Sequence, residues 1–136
     1  MKNRTTAFIL ILGVLAMLTV ACGFSFSTAN FDDAFMAADP DGNQRTTVYG
    51  DEDVFYAIAD LANASDDTVV RAVWIAVDVD DTEPNLLIDE VSITSGDARL
   101  TFDLANEAGL LWPNGQYRVD LYLNDELETS LDFQVQ

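Results

Sequence analysis

The chemistry this chain offers is oxygen chemistry, concentrated in short acidic runs. Asp39-Pro40-Asp41-Gly42-Asn43 sets side-chain oxygens at alternate positions, the spacing that calcium loops use to wrap a hard cation. Asp78-Val79-Asp80-Asp81-Thr82-Glu83 is a second such run, with Asp78, Asp80 and Asp81 as oxygen donors, and Asp51-Glu52-Asp53 is a third. The first run departs from an EF-hand, because its glycine comes fourth rather than sixth and Gly50 stands where the closing glutamate would be. The competing reading is a set of solvated turns, since Asp and Asn favour turns by bonding their own backbone. The cofactor expectation is therefore none, or a calcium ion held by Asp39, Asp41 and Asn43 or by Asp78, Asp80 and Asp81.

Other chemistries are closed by composition. The chain has no histidine, which excludes imidazole acid–base catalysis, histidine triads and imidazole metal sites. Cys22 is the single cysteine, and Lys2 is the single lysine. No glycine loop shaped to cradle phosphate and no Gly-Xaa-Ser-Xaa-Gly elbow is present. Two carboxylates could still hydrolyse a glycoside, but acids are everywhere and only Asp60 and Asp78 stand in an apolar context. The chain is expected not to be an enzyme.

Cys22 has a context of its own. Met1-Lys2-Asn3-Arg4-Thr5-Thr6 is a cationic start, and Ala7 to Val20 is an apolar run broken only by Gly13 and Thr19. The run ends in the small residues Ala21-Cys22-Gly23. A basic start, an apolar stretch of roughly 7–15 residues and a small-residue cut site make a secretory signal peptide. A membrane span would need about 20 apolar residues. Leu18-Thr19-Val20-Ala21 before Cys22 resembles the lipobox of bacterial lipoproteins, with Thr19 where leucine is usual. The resemblance implies cleavage before Cys22, a lipid on its sulfur and an acylated amine, hence a stable membrane anchor. The expected division is a signal-peptide helix over 1–21, a lipidated cysteine and tether over 22–30, and a domain over 31–136. The expected location is the cell membrane or outer envelope, facing away from the cytoplasm.

Past residue 22 the chain carries four arginines, Arg45, Arg71, Arg99 and Arg118, against 24 acids, which leaves a net charge of −20. Such a surface repels nucleic acid and anionic lipid and attracts cations or basic partners. High-salt adaptation would produce the same composition, because screening makes dense charge tolerable.

The elements that must position these acids are strands, because alternation at period two is common and helical periodicity scarce. Tyr117 to Leu123 alternates, with Tyr117, Val119, Leu121 and Leu123 on one face and Arg118, Asp120 and Tyr122 on the other. Asn124-Asp125 joins it to a strand over Leu131–Val135, a terminal hairpin. Arg99–Leu104 and Val54–Leu61 are further strands, Leu86–Ile93 a weaker one, and Phe31–Ala38 an edge strand. Val69–Val79 is longer and more apolar, which predicts a central strand covered on both faces. Turn residues at Asp39–Gly42, Asn63–Asp67, Ser95–Asp97 and Pro113–Gly115 separate these runs. About seven short strands so spaced predict an all-β antiparallel sandwich.

Trp74 in the long strand, followed by Trp112-Pro113-Asn114-Gly115-Gln116-Tyr117-Arg118-Val119, resembles an immunoglobulin-like domain. In that fold a tryptophan of the third strand packs in the core. A tyrosine opens the sixth strand, two places before a disulfide cysteine. Val119 stands at that cysteine's place, so the resemblance implies a domain held by packing alone. Trp74 is then a core residue rather than a ligand platform. Trp112 either plugs the open end of the sandwich or stays exposed as a contact residue. Tyr122 and Tyr56 fall on outer faces, where aromatic residues serve recognition. The expected function is a non-enzymatic, lipid-anchored binding or structural module that contacts an envelope protein or glycan. A calcium-stabilised adhesion module, a carboxylate hydrolase and an accessory subunit of an envelope complex are the alternatives.

Overall fold

The computed structural model describes residues 27–136, so the leader, Cys22 and the first part of the tether lie outside the described residues. Within them the alternating runs become eight strands: β1 (Asn30–Ala37), β2 (Val48–Tyr49), β3 (Phe55–Ala62), β4 (Val69–Val79), β5 (Leu86–Thr94), β6 (Ala98–Leu104), β7 (Gly115–Leu123) and β8 (Glu126–Val135). They form a three-stranded sheet in the order β1-β3-β6 and a five-stranded sheet in the order β2-β8-β7-β4-β5. The chain is an immunoglobulin-like β-sandwich. Every pairing is antiparallel except β2 on β8, which is parallel. β2 is two residues long, too short to show a period. The terminal hairpin is longer than the sequence suggests, because β8 begins at Glu126 and follows directly on a two-residue turn. Asn124 and Asp125 both have positive φ, 46° and 69°, as a type I′ turn requires.

The sheets meet through small residues on one side and large ones on the other. Ala57 and Ala59 of β3 and Ala72, Trp74 and Ala76 of β4 are buried in one core cluster, with the Trp74 ring edge-on to Phe133. Phe55 anchors one end, its ring 4.7 Å from Trp112, 4.9 Å from Tyr49 and 4.8 Å from Phe133. Tyr117 donates its hydroxyl to the Pro113 carbonyl oxygen at 2.6 Å, the corner expected of a tyrosine opening this strand. Gly115 precedes it at φ 147°, where a Cβ would fall on the Asp78 carbonyl of β4.

One expectation is corrected here. β4 is not covered on both faces: its even-numbered residues from Val70 to Ala76 are buried, but Val69, Arg71, Val73, Ile75 and Val77 are half-buried on an outer face. The middle of that sheet is β7. The Asp39–Asn43 run, in turn, folds back over the outer face of the three-stranded sheet. There it covers a second small core of Phe35, Ala37 and Ile58.

Candidate functional site

The acidic runs are engaged as turns. Asp39 accepts the Asn43 N–H at 3.0 Å and the Gln44 N–H at 2.7 Å, one on each carboxylate oxygen. Those two backbone donors, Asn43 first, hold its carboxyl below the usual range. The backbone oxygens of Pro40 and Asp41 turn toward the sheet, accepting from the Thr101 hydroxyl at 3.0 Å and the Arg99 guanidinium at 3.3 Å. In the β4–β5 connection Asp80 donates its N–H to Asn114 O at 3.0 Å, and Asp81 takes a positive φ of 56°. Asp53 likewise accepts from the Gly50 N–H at 2.7 Å. Among the described residues no three acids gather into a metal-binding cluster. The candidate donors fall in two separate places: Asp39, Asp41 and Asn43 in the 38–44 loop, and Asp78 at the end of β4 with Asp80 and Asp81 in the turn after it. Asp60 and Asp78, the acids that stand in apolar sequence, belong to β3 and β4 in different sheets.

The arginines organise the outer faces, two on each. On the three-stranded sheet Arg99 grips Asp60 with two bonds of 2.7 and 2.9 Å, and this pairing holds the Asp60 carboxyl below its ordinary value. Arg45 meets Asp33 at 2.7 Å and lies 3.7 Å over the Phe35 ring. Arg99 fastens the 38–44 loop to the sheet through the Asp41 carbonyl, and Arg45 covers the Phe35 ring beside it. That face is therefore closed by its own chain.

Among the described residues no loop covers the outer face of the five-stranded sheet. Arg71 meets Glu90 at 2.9 Å and lies 4.2 Å over the Tyr122 ring. Next to this pair, Val73 lies opposite Asp120, and Ile75 lies opposite Arg118 on one side and Leu87 on the other. Leu87 is 55% exposed. The sequence puts Asp120 on a solvent face, but only 6% of it is exposed. Arg118 at 2.8 Å and the Ser130 hydroxyl at 2.7 Å enclose it. A fixed ion pair thus borders a half-buried apolar row capped by a tyrosine whose ring is held by a cation. An apolar, aromatic-containing patch with a charged border matches the layout of an interface, a hydrophobic centre inside a polar rim.

Of the two aromatic contact candidates, Tyr122 lies on this face and Trp112 does not. Trp112 stacks on Phe55 and donates its indole N–H to Asp53 O at 2.9 Å, with 8% of the residue exposed. It plugs the end of the sandwich. Sequence reasoning missed Val73, Ile75 and Leu87 as a surface. Their signal was the apolar outer face of β4, which reads as burial on both sides when the sheet's partner layer is unknown.

No family model matches the chain, and no curated protein sequence does. Solved structures share its fold. An immunoglobulin-like protein of Pseudomonas aeruginosa superposes with a TM-score of 0.55 at 13% identity, over 83% of this chain and 100% of that one. An alkylpurine DNA glycosylase of Pseudomonas fluorescens bound to DNA gives 0.56 at 12% identity over 88% of this chain. The chain spans 33% of that enzyme's length. At these identities the likeness concerns the fold alone.

Proposed function

We propose that this chain is a non-enzymatic, lipid-anchored envelope module that contacts a protein or glycan through the outer face of its five-stranded sheet. The observation that carries the reading is the open apolar row of Val73, Ile75 and Leu87 beside Tyr122, whose ring lies under Arg71. The opposite outer face, by contrast, is closed by the 38–44 loop. Cys22 and its leader supply the anchor in this reading. The dense negative charge disfavours nucleic acid as the partner.

Photo-crosslinking in the exported full-length chain tests it. A crosslinking residue at Tyr122 or Leu87 should yield a discrete envelope adduct, and one at Glu128 should not. Adducts at all three positions alike, or at none, would sink the assignment. Muramidase digestion then separates a glycan adduct from a protein one. Cys22→Ser should shift the chain from the membrane fraction to the soluble one. An unchanged distribution would remove the anchor from the proposal.

A further inference from the structure

The two layers are unequal: five strands face three. β6 ends the smaller sheet, while β5 carries the larger one a strand further. Residues paired across an antiparallel ladder project to the same face. Val91 lies opposite buried Ala72 and Leu86 opposite buried Ala76, so both aim at the place a fourth strand would occupy. Both stay open, at 39% and 44% exposure. Ile88 and Ile93 of the same strand pack only partly against the core.

Beside this ledge runs an unprotected sheet edge. The free edge of β1 is engaged at its Met36–Ala37 end by the Ala37–Arg45 bridge and the Thr46 N–H on Met36 O, and that of β8 at Gln134–Val135 by β2. β6 pairs with β3 alone, and among the described residues no other backbone hydrogen bond reaches Ala98–Leu104. Exposed edges of this kind are usually blunted by lysine, proline or a bulge. β6 has none of these.

We propose that the β6 edge and the β5 ledge form a groove for one extended, basic segment of another protein, which adds as a fourth strand to the β1-β3-β6 sheet. Its alternate apolar side chains would cover Val91 and Leu86 and continue the row of Leu100 and Phe102. Charge identifies the rest of its chemistry. Exposed Asp103 lies on the solvent side of β6, between Phe102 and Leu104, while Arg99 on that same side is already neutralised by Asp60. Lysine or arginine between the apolar positions complements that pattern. A second copy of this chain does not fit. It brings a net charge of −18 to a like-charged surface. In a symmetric β6–β6 pairing each copy's β5 would also have to stand where the other's β4 already stands. A single strand without a second layer beneath it meets neither obstacle. Strand addition of this type takes affinity from main-chain bonds and specificity from alternate side chains.

The probe is a seven-residue peptide alternating lysine and valine, titrated into the full-length chain in detergent and followed by amide NMR. We expect shifts confined to β5 and β6 and at least tenfold slower hydrogen exchange along the β6 edge. Val91→Asp and Leu86→Asp should each weaken binding at least tenfold. Both sites are surface positions, and the spectrum reports whether each variant is folded. Tyr122→Ala, on the opposite face, should leave the affinity unchanged, which separates this groove from the interface proposed above. A glutamate–valine peptide should not bind. Equal binding by a peptide with its four lysines and three valines in separate blocks would overturn the proposal. So would shifts spread over the acidic turns, or dimerisation of the chain through β6.

Discussion

Phe55 packs against the rings of Tyr49, Trp112, Tyr117 and Phe133, and Trp74 carries the single buried side-chain polar atom among the described residues that lacks a partner. The two should respond differently to truncation. Phe55→Ala opens a cavity among Tyr49, Trp112, Tyr117 and Phe133 and should cost about 3–5 kcal/mol. Trp74→Phe removes an unsatisfied indole N–H along with some volume, and these effects oppose each other. It should cost less than about 1.5 kcal/mol. Urea unfolding measures both, and a Trp74→Phe loss matching that of Phe55→Ala would refute the comparison. Protonation gives a second prediction at this scale. Burial raises the phenols of Tyr49 and Tyr117 to about 12. A raised folded pKa means that stability is complete below the unfolded value near 10 and drains away as pH climbs toward 12. Alkaline unfolding should therefore fall in that window, and Tyr117→Phe should flatten its slope even though it loses the Pro113 bond. On the acid side, the lowered Asp39 and Asp60 carboxyls add stability that fades as pH falls below about 4.

At the scale of elements, the loop over 38–44 behaves as part of the three-stranded sheet. Gly42 sits at φ 74°, and a Cβ there would meet the Phe35 ring at 3.0 Å and Ile58 at 3.3 Å. Gly42→Ala should therefore lower stability by about 1 kcal/mol or more, from backbone strain and crowding together. It should also raise proteolysis within residues 38–44 selectively. A variant as stable and as protease-resistant as the parent would show that the loop does not rest on Phe35. Most strands of this scaffold were legible because one face is wet and the other dry, and that produces a period of two. Three features escaped for physical reasons. β2 has too few residues to alternate, and Tyr49 reaches the core through its position on β8. The outer face of β4 is apolar, so its pattern mimics a strand buried on both sides. For the Asp39–Asn43 run the sequence leaves a solvated turn and a cation loop both open, because calcium sites and self-capped turns place oxygens at the same spacing. In the fold both carboxylate oxygens of Asp39 accept backbone N–H groups of its own turn.

For the whole molecule the dominant quantity is charge. Each of the four arginines past residue 22 meets a carboxylate, so the excess acids remain as a solvated shell around a neutral framework. Salt should stabilise such a molecule by screening self-repulsion, whatever the cation. Thermal melts in EDTA and in calcium at matched ionic strength should therefore coincide. A calcium-specific rise absent with sodium would reveal a cation site that binds the folded state. The residues by themselves determined the strand alternation, the tryptophan and tyrosine of an immunoglobulin-like sandwich, the acidic surface and the absence of histidine chemistry. These are properties of local pattern and composition, which the chain carries before it folds. Tertiary structure alone decided that Trp112 is a plug, that Asp120 is enclosed, that one outer sheet face is open and that β5 overhangs β6. Each of these depends on which strand lies over which, a relation between residues far apart in sequence that no local pattern contains.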